Sequence, residues 1–481
     1  MWHPAPGMIV EIKKIGRAKI IKLVGHNKAL ISVYTLNGRQ IEWPVDKMLP
    51  VNPAPSQSVP SQSVPSQSAP SQSVATQPTA TSPHTETSSD IIQKYKDNDI
   101  LKTRTIESLR FGLVPEHHIK ELTLGFDEIK AWTCETFKQC LSGNPGGYEI
   151  SGPYGTGKSH TLSIIRYLAR KDGFLTADVE VDGQNISLSN PAVLLNALWV
   201  TLADDGLDTE SPLVDLYVKA IKSGNTLTSI ITPGNDKIKN NLRTIYTLMI
   251  TDNMDKYANL VESVISCSAQ ITATQAVKEI CSEHNLDRSK IRLAPMVSRI
   301  VDERGMDLVE SLAGHAVLAR LAGYKGLIIT IDEFEIEHIN NKNMERVRDS
   351  LYAINKYIAG DTRYYKAPLG IYIATIDQSG EIGDPIIHEY VAKDLKNRYR
   401  LKVWGKNERL ELAERIHKMY SGTYNIKDGF DKKFASLVEE LIARKIENND
   451  SGLIRSFIKW YVGFLDIKYG PPGGKLNEGQ Y

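Results

Sequence analysis

Gly152-Pro153-Tyr154-Gly155-Thr156-Gly157-Lys158-Ser159 follows the pattern of a glycine, four further residues, then Gly-Lys-Ser. Residues of these types at this spacing bind phosphate. Glycines let the backbone close around an anion with its N–H groups turned inward, where any Cβ would block the approach. Gly152, Gly155, Thr156 and Gly157 are the expected cradle. Lys158 is expected to neutralise the β- and γ-phosphates of a bound triphosphate, and Ser159 to offer its hydroxyl to Mg²⁺. The start of the next helix adds its positive dipole end to the same anion site.

Such a site also needs acids. Leu327-Ile328-Ile329-Thr330-Ile331-Asp332-Glu333 is an almost unbroken apolar run closing on two carboxylates. That is the pattern of a buried parallel strand delivering acids at its C-terminal edge. Asp332 is expected to hold Mg²⁺, directly or through water, and Glu333 to orient and activate the attacking water. Glu335 and Glu337 are expected to be solvated or tied to a helix start, with Glu335 near enough to stand as a second-rank candidate. A further apolar strand, Leu369 to Ile376, leads into Thr375, Asp377 and Gln378, and Thr375 is the expected sensor of the γ-phosphate. Arg346, Arg348, Arg398, Arg400 and Arg455 follow these strands. Of these, Arg398 is the candidate finger-like arginine and Arg455 the lid-like one.

The elements positioning these groups are legible in outline. A short strand-like run, Tyr148 to Ser151, precedes the loop, and Leu162, Ile165 and Leu168 recur at helical spacing after it. Strand, loop and helix stand in the order that a phosphate loop requires. From Gly147 onward strand-like and helical runs alternate, as in an α/β unit with a parallel sheet. Between Lys158 and Asp332 lie 173 residues, and the stretch from about 190 to 321 reads as a large helical insertion with loop signals at Gly224 and Pro233-Gly234. Residues 90 to 140 also read as helical, broken near Pro115 and Gly125. Residues 406–469 read as a helical lid, and 470–481 as a flexible tail. The core is thus expected over 90–405.

The 481 residues point to more than one domain. With 41% apolar and 24% charged residues, the composition excludes wholesale disorder, collagen-like repeats and a coiled-coil rod. No apolar run is long enough to span a bilayer and no signal core is seen, so a cytoplasmic protein without membrane association is expected. Cys134, Cys140, Cys267 and Cys281 are too few and too scattered for a disulfide framework or a Cys/His metal site. Between residues 51 and 89, Pro-Ser-Gln-Ser recurs from Pro55, Pro60, Pro65 and Pro70. With one charge, Glu86, and no aromatic residue, that stretch reads as a disordered linker.

Ahead of the linker, residues 1–50 hold eight Lys/Arg against three Asp/Glu, within a chain almost balanced at 58 to 57. Gly7 to Lys13, Ala18 to Val24, Ala29 to Leu36 and Gln40 to Pro44 are short β-branched and apolar runs, with Asn37-Gly38 as a hairpin signal. A small SH3-like β-barrel is expected, tethered by the linker. Its basic excess makes DNA the candidate partner, with protein docking as the alternative. The pattern resembles KOW or Tudor-like barrels, which implies nucleic-acid contact.

A wider likeness rests on Ser108-Leu109-Arg110-Phe111-Gly112-Leu113-Val114-Pro115 with Leu124-Gly125, on the phosphate loop extended to His160, on Asp332-Glu333-Phe334-Glu335, and on Asp394-Leu395-Lys396-Asn397-Arg398. Together these resemble the BREX-system ATP-binding proteins of the BrxD type, P-loop ATPases of phage-defence clusters, over roughly residues 100 to 467. The resemblance implies an AAA+-like core with a helical lid, ATP and Mg²⁺ as cofactors, and His160 within the nucleotide site. It also implies work on DNA alongside a helicase or methyltransferase; cores of this kind often complete their sites with a neighbour's arginine, which makes a homo-oligomer a candidate assembly. The combined expectation is a P-loop NTPase hydrolysing ATP. A nucleotide-controlled switch or a scaffold with little turnover is the alternative.

Overall fold

The computed structural model describes residues 99–204, 211–223, 236–268, 271–284, 286–297, 304–340, 343–361, 366–377, 382–446 and 453–470, with the backbone of five strands before residue 51. The side chains of the expected barrel, the linker 51–89, the loop signals at Gly224 and Pro233-Gly234, Gln378 and residues 471–481 lie outside the described residues. Two units are distinguished, Met1–His84 and Thr85–Tyr481. In the first, β1 (Ile9–Ile12), β2 (Gly16–Val24), β3 (Lys28–Val33), β4 (Arg39–Pro44) and β5 (Met48–Pro50) pair antiparallel in the order β4-β3-β2-β1-β5. Val33 faces Arg39 across the pair that flanks Asn37-Gly38.

In the second unit, β6 (Gly146–Gly152), β7 (Leu175–Glu180), β8 (Leu327–Asp332), β9 (Leu369–Ile376) and β10 (Arg398–Arg400) form a parallel sheet in the order β10-β6-β9-β8-β7. β9 therefore separates the loop strand β6 from the acidic strand β8. The central strands β8 and β9 are apolar almost throughout because both faces are covered, whereas the edge strands β7 and β10 carry polar residues. Side chains alternate between the faces. Ile328, Tyr372 and Ala374 point to one side, with Tyr148 and Ile150, and pack on α3 (Phe126–Leu141) and α4 (Lys158–Lys171) through Phe137, Ile164, Ile165 and Leu168. Leu327, Ile329, Ile331, Ile371 and Ile373 point to the other, against α5 (Pro191–Val200), α10 (Arg304–Leu321) and α12 (Met344–Ile358).

The expected insertion is helical in its described parts. It comprises α5, α6 (Pro212–Lys222), α7 (Asp236–Ile250), α8 (Met254–Ile265), α9 (Ala273–His284) and α10. Its apolar side chains join the core on the second face of the sheet, so it is an extension of the domain's own core.

A separate core joins α1 (Asp99–Phe111) to α14 (Lys406–Tyr424), α15 (Lys432–Ile446) and α16 (Leu453–Tyr469). Ile106 and Leu109 of α1 are buried with Leu412, Ile416, Tyr420, Phe457, Tyr461 and Leu465. Arg110 pairs with Asp466 at 2.7 Å. The helix that precedes the phosphate loop in sequence thus packs with the C-terminal helices. The four cysteines are free thiols, and burial pushes Cys140 up to about 11, as befits packing residues.

Candidate functional site

The loop between β6 and α4 opens into a cavity of about 1180 Å³ at the C-terminal edge of the sheet. Its backbone is shaped by glycine. At Gly152 a Cβ would lie 2.9 Å from Thr156 Oγ1, closer than real contacts allow, and a tight 3.1 Å from the Leu401 side chain. Gly157, at φ +100°, turns the chain into α4 through a conformation that other residues rarely adopt. Thr156 Oγ1 donates to the Pro153 carbonyl at 2.8 Å and braces the loop. Lys158 is buried, yet its ammonium has only a long contact, 3.5 Å, to the Gly152 carbonyl. Ser159 and His160 also line the cavity.

The acids arrive from two adjacent strands. Glu180 at the end of β7 stands opposite Asp332 at the end of β8, and both face the cavity with Glu333 and Glu335. Asp332 Oδ1 accepts the Glu333 N–H at 2.9 Å. Glu333 takes φ +60°, a left-handed conformation costly for a side-chain-bearing residue. Burial, and then the charges of Glu335, Asp332 and Glu180, push its carboxyl up to about 7, against the opposing pull of Lys158. Glu335 is also raised, chiefly by burial, and its Oε2 is buried with no hydrogen-bond partner. Glu180, Asp332, Glu333 and Glu335 repel one another, and Lys158 and Arg166, which line the same cavity, offset part of that charge.

These residues fit a Mg²⁺-nucleotide. Gly152 has no room for a Cβ and Gly157 needs a positive φ, Lys158 lacks a close partner, and Glu335 Oε2 is orphaned beside Asp332. Among the described residues no set of three or more His, Cys, Asp or Glu is placed to enclose a metal alone. Mg²⁺ is commonly held by one or two carboxylates with water and substrate phosphates. Ser159 and Asp332, the side chains expected to hold it, both line the cavity.

His160 has a further engagement. Its Nε2 lies 2.8 Å from Thr123 Oγ1, linking the start of α4 to the segment after α2 (Ile119–Leu122). Burial lowers the ring to about 4, so it is neutral at pH 7. Arg455 lines the cavity and its Nε donates to the Gly112 carbonyl at 2.8 Å. Arg400 also lines it, paired with Asp377 at 3.0 Å.

Thr375 and Arg398 are not among the lining residues. The Thr375 hydroxyl is buried and donates to Glu149 Oε1 at 2.7 Å. Arg398 gives Nε to the Ala392 carbonyl and Nη2 to the Lys393 carbonyl. Arg346 and Arg348 are exposed on α12, away from the cavity. Glu337 corrects an expectation. It is fully buried in α11 (Glu335–Asn340), where Ser187 Oγ and the Leu188 N–H donate to it at 2.8 and 2.7 Å.

Sequence reasoning missed two sets of residues. Glu149, inside β6, accepts from Thr375, from the Asp384 N–H at 2.8 Å and from His388 Nε2 at 2.6 Å. Asp384 caps α13 (Pro385–Tyr390) and pairs with His338 of α11 at 2.7 Å. The available signal was a carboxylate within an apolar strand. The other set walls the cavity's apolar end: Leu113, Val114, Leu401, Trp404, Ile454 and Ile458.

Among the described residues no helix is long and apolar enough to cross a membrane. No curated protein matches the chain. The family model described as BREX system ATP-binding protein BrxC/D matches residues 99–375, from α1 through the acidic strand to Thr375. The expected likeness ran to about 467, so the Asp394 to Arg398 stretch lies beyond the matched residues. With more than half its length matched, and with the phosphate loop and acidic strand inside the match, the chain belongs to the BREX system ATP-binding protein BrxC/D family.

Proposed function

We propose that this chain is a Mg²⁺-dependent, AAA+-like ATPase of a BREX phage-defence system, acting in the cytoplasm on DNA or on DNA-bound partners. One observation carries the reading. Lys158 and Ser159 of the loop, and Asp332 and Glu333 of a strand two places away, line one cavity.

In this reading the amides of Gly155, Thr156 and Gly157 cradle the phosphates, with Gly152 keeping the strand exit clear. Lys158 balances the β- and γ-phosphate charge. Ser159 and Asp332 hold Mg²⁺, which when bound neutralises charge on the phosphate oxygens. Glu333 accepts the proton of the attacking water, and a carboxyl poised near 7 suits that task at neutral pH. The wall of Leu113, Val114, Ile454 and Ile458 takes the base. Arg455 spans this end from α16 to Gly112, so the lid-like role falls to it. His160 supports the cradle by tying α4 to Thr123.

Arg398, outside this chain's cavity, suits the site of a neighbouring copy in a homo-oligomer. Thr375 acts as sensor only when its hydroxyl leaves Glu149. The N-terminal module, read as a barrel, docks on DNA, and a helicase or methyltransferase of the same system is the expected partner. The test is Glu333→Gln, which should retain ATP and hydrolyse it at least tenfold more slowly. Near-normal turnover would remove Glu333 from its role.

A nucleotide-controlled switch with little turnover is the second reading, favoured by the commitment of Thr375 and Arg398 to internal partners. Turnover with and without duplex DNA separates the two. Strong stimulation supports the ATPase, and silence under both conditions supports the switch.

A further inference from the structure

On the insertion, far in sequence from the phosphate loop, Arg243, Tyr246, Thr247, Ser289, Lys290 and Arg292 line a second depression of about 220 Å³. Arg243, Tyr246 and Thr247 share one face of α7, at the helical spacings i, i+3 and i+4. The others come from the segment 286–297. That segment is clamped to α7 from beneath: fully buried Asn241 accepts the Ala294 N–H at 2.8 Å and donates to the Ala294 carbonyl at 3.0 Å, and buried Thr244 accepts the Arg292 N–H at 2.8 Å. Lys290 and Arg292 are therefore presented beside Arg243 by a braced backbone.

The chemistry of the depression is narrow. The Thr247 hydroxyl donates to the Arg243 carbonyl and that of Ser289 to Asp287, so the side-chain donors left to face a ligand are two guanidiniums, one ammonium and the Tyr246 hydroxyl. Among the described residues, Arg243, Lys290 and Arg292 make no ion pair within 4 Å. Asp287, the acid of the segment, accepts from the Ser289 N–H and hydroxyl, which with the more distant Lys290 hold its carboxyl below the usual range and keep it charged beside that lysine. Tyr246 leaves 45% of its surface exposed and adds an aromatic ring to the same lining. Cations that fork onto phosphate, together with an exposed ring, match a strand whose backbone is anionic and whose bases stack.

We propose that this depression on the helical insertion is a binding site for single-stranded nucleic acid, with Arg243, Lys290 and Arg292 on successive phosphates and a base stacked on Tyr246. It depends neither on ATP hydrolysis nor on the N-terminal module, and it places a nucleic-acid contact on the ATP-binding unit itself.

The test uses the full chain and a fluorescein-labelled oligothymidylate of 20 residues, with a duplex of equal length for comparison. Anisotropy is followed between 50 and 200 mM salt. Arg243→Glu combined with Lys290→Glu should weaken single-strand binding at least tenfold. It should also flatten the dependence of log affinity on log salt by about 1.4, or roughly 0.7 for each phosphate no longer neutralised. Tyr246→Ala should cost about tenfold on the single strand and leave the duplex unchanged. Wild-type affinity in the charge-reversed variant, equal losses on duplex and single strand for Tyr246→Ala, or no wild-type binding at 50 mM salt would each overturn the proposal. ATP uptake, measured in the same variants, should be unaltered and reports separately on the phosphate-loop reading.

Discussion

Along one edge of the sheet, neighbouring strands treat buried polar groups in opposite ways. Around β6 and β9 every partner is supplied internally: Glu149 takes Thr375, the Asp384 N–H and His388, while Asp384 takes His338 and the start of α13. Around the phosphate loop and β8 the groups are left short. Lys158 has one long contact, Glu335 Oε2 has none, and Glu333 is held near neutrality by its neighbours. Buried polar atoms are rarely abandoned without a reason. The satisfied cluster locks α11 and α13 to the sheet, and the unsatisfied one is where the proposed phosphates and cation would bind.

That contrast is breakable by mutation. The largest effect is expected in the satisfied cluster: Glu149→Leu strands three donors in the core and should cost about 3 to 5 kcal/mol, read from the urea midpoint. Glu149→Gln, which keeps an acceptor, should cost clearly less. If the two variants lose the same stability, the carboxylate network is not what holds this region.

In the unsatisfied cluster the expected effects fall on chemistry. Turnover should rise with pH through about 7 as Glu333 loses its proton, because only the carboxylate can accept one from water. In Glu333→Gln that rise should vanish with most of the activity. A pH profile of the variant parallel to that of the wild type would assign the titration to another group.

The smallest expected effect concerns His338, raised above its usual range mainly by the hydrogen bond to Asp384. A histidine whose folded pKa is raised contributes stability that is fully present below its unfolded pKa and is lost as pH rises through the folded value. His338→Ala should therefore destabilise most near pH 6 and progressively less toward pH 9. The pH-dependent part of that loss should stay under about 1 kcal/mol, because His338 is a quarter exposed although Asp384 is buried. A gap that widens with pH would contradict the pairing.

What the sequence disclosed follows the same division. The phosphate loop is contiguous, its steric demands fall on single residues, and it was legible together with Asp332 and Glu333. The strand Leu369 to Ile376 was legible to the residue, because apolar runs covered on both faces stand out from their flanks. The role of Glu149 was hidden because its partners lie more than two hundred residues away. Thr375 has the right type at the right strand end, yet only the fold shows its hydroxyl given to Glu149. The packing of α1 with α14 to α16 was equally hidden, since Ile106 and Leu465 meet across almost the whole domain. Leu113 and Val114 drew notice as part of a family likeness, and only the cavity shows them as a wall.

The most direct measurement is calorimetric titration of Mg²⁺-ATP into the purified full chain and into Lys158→Ala, with folding checked by circular dichroism. One saturable site is expected in the wild type. Losing charge-assisted bonds worth about 3 kcal/mol should weaken it about 100-fold in the variant. A folded wild-type chain that takes up no nucleotide at millimolar concentration, or a Lys158→Ala variant that binds as tightly as the wild type, would contradict the account.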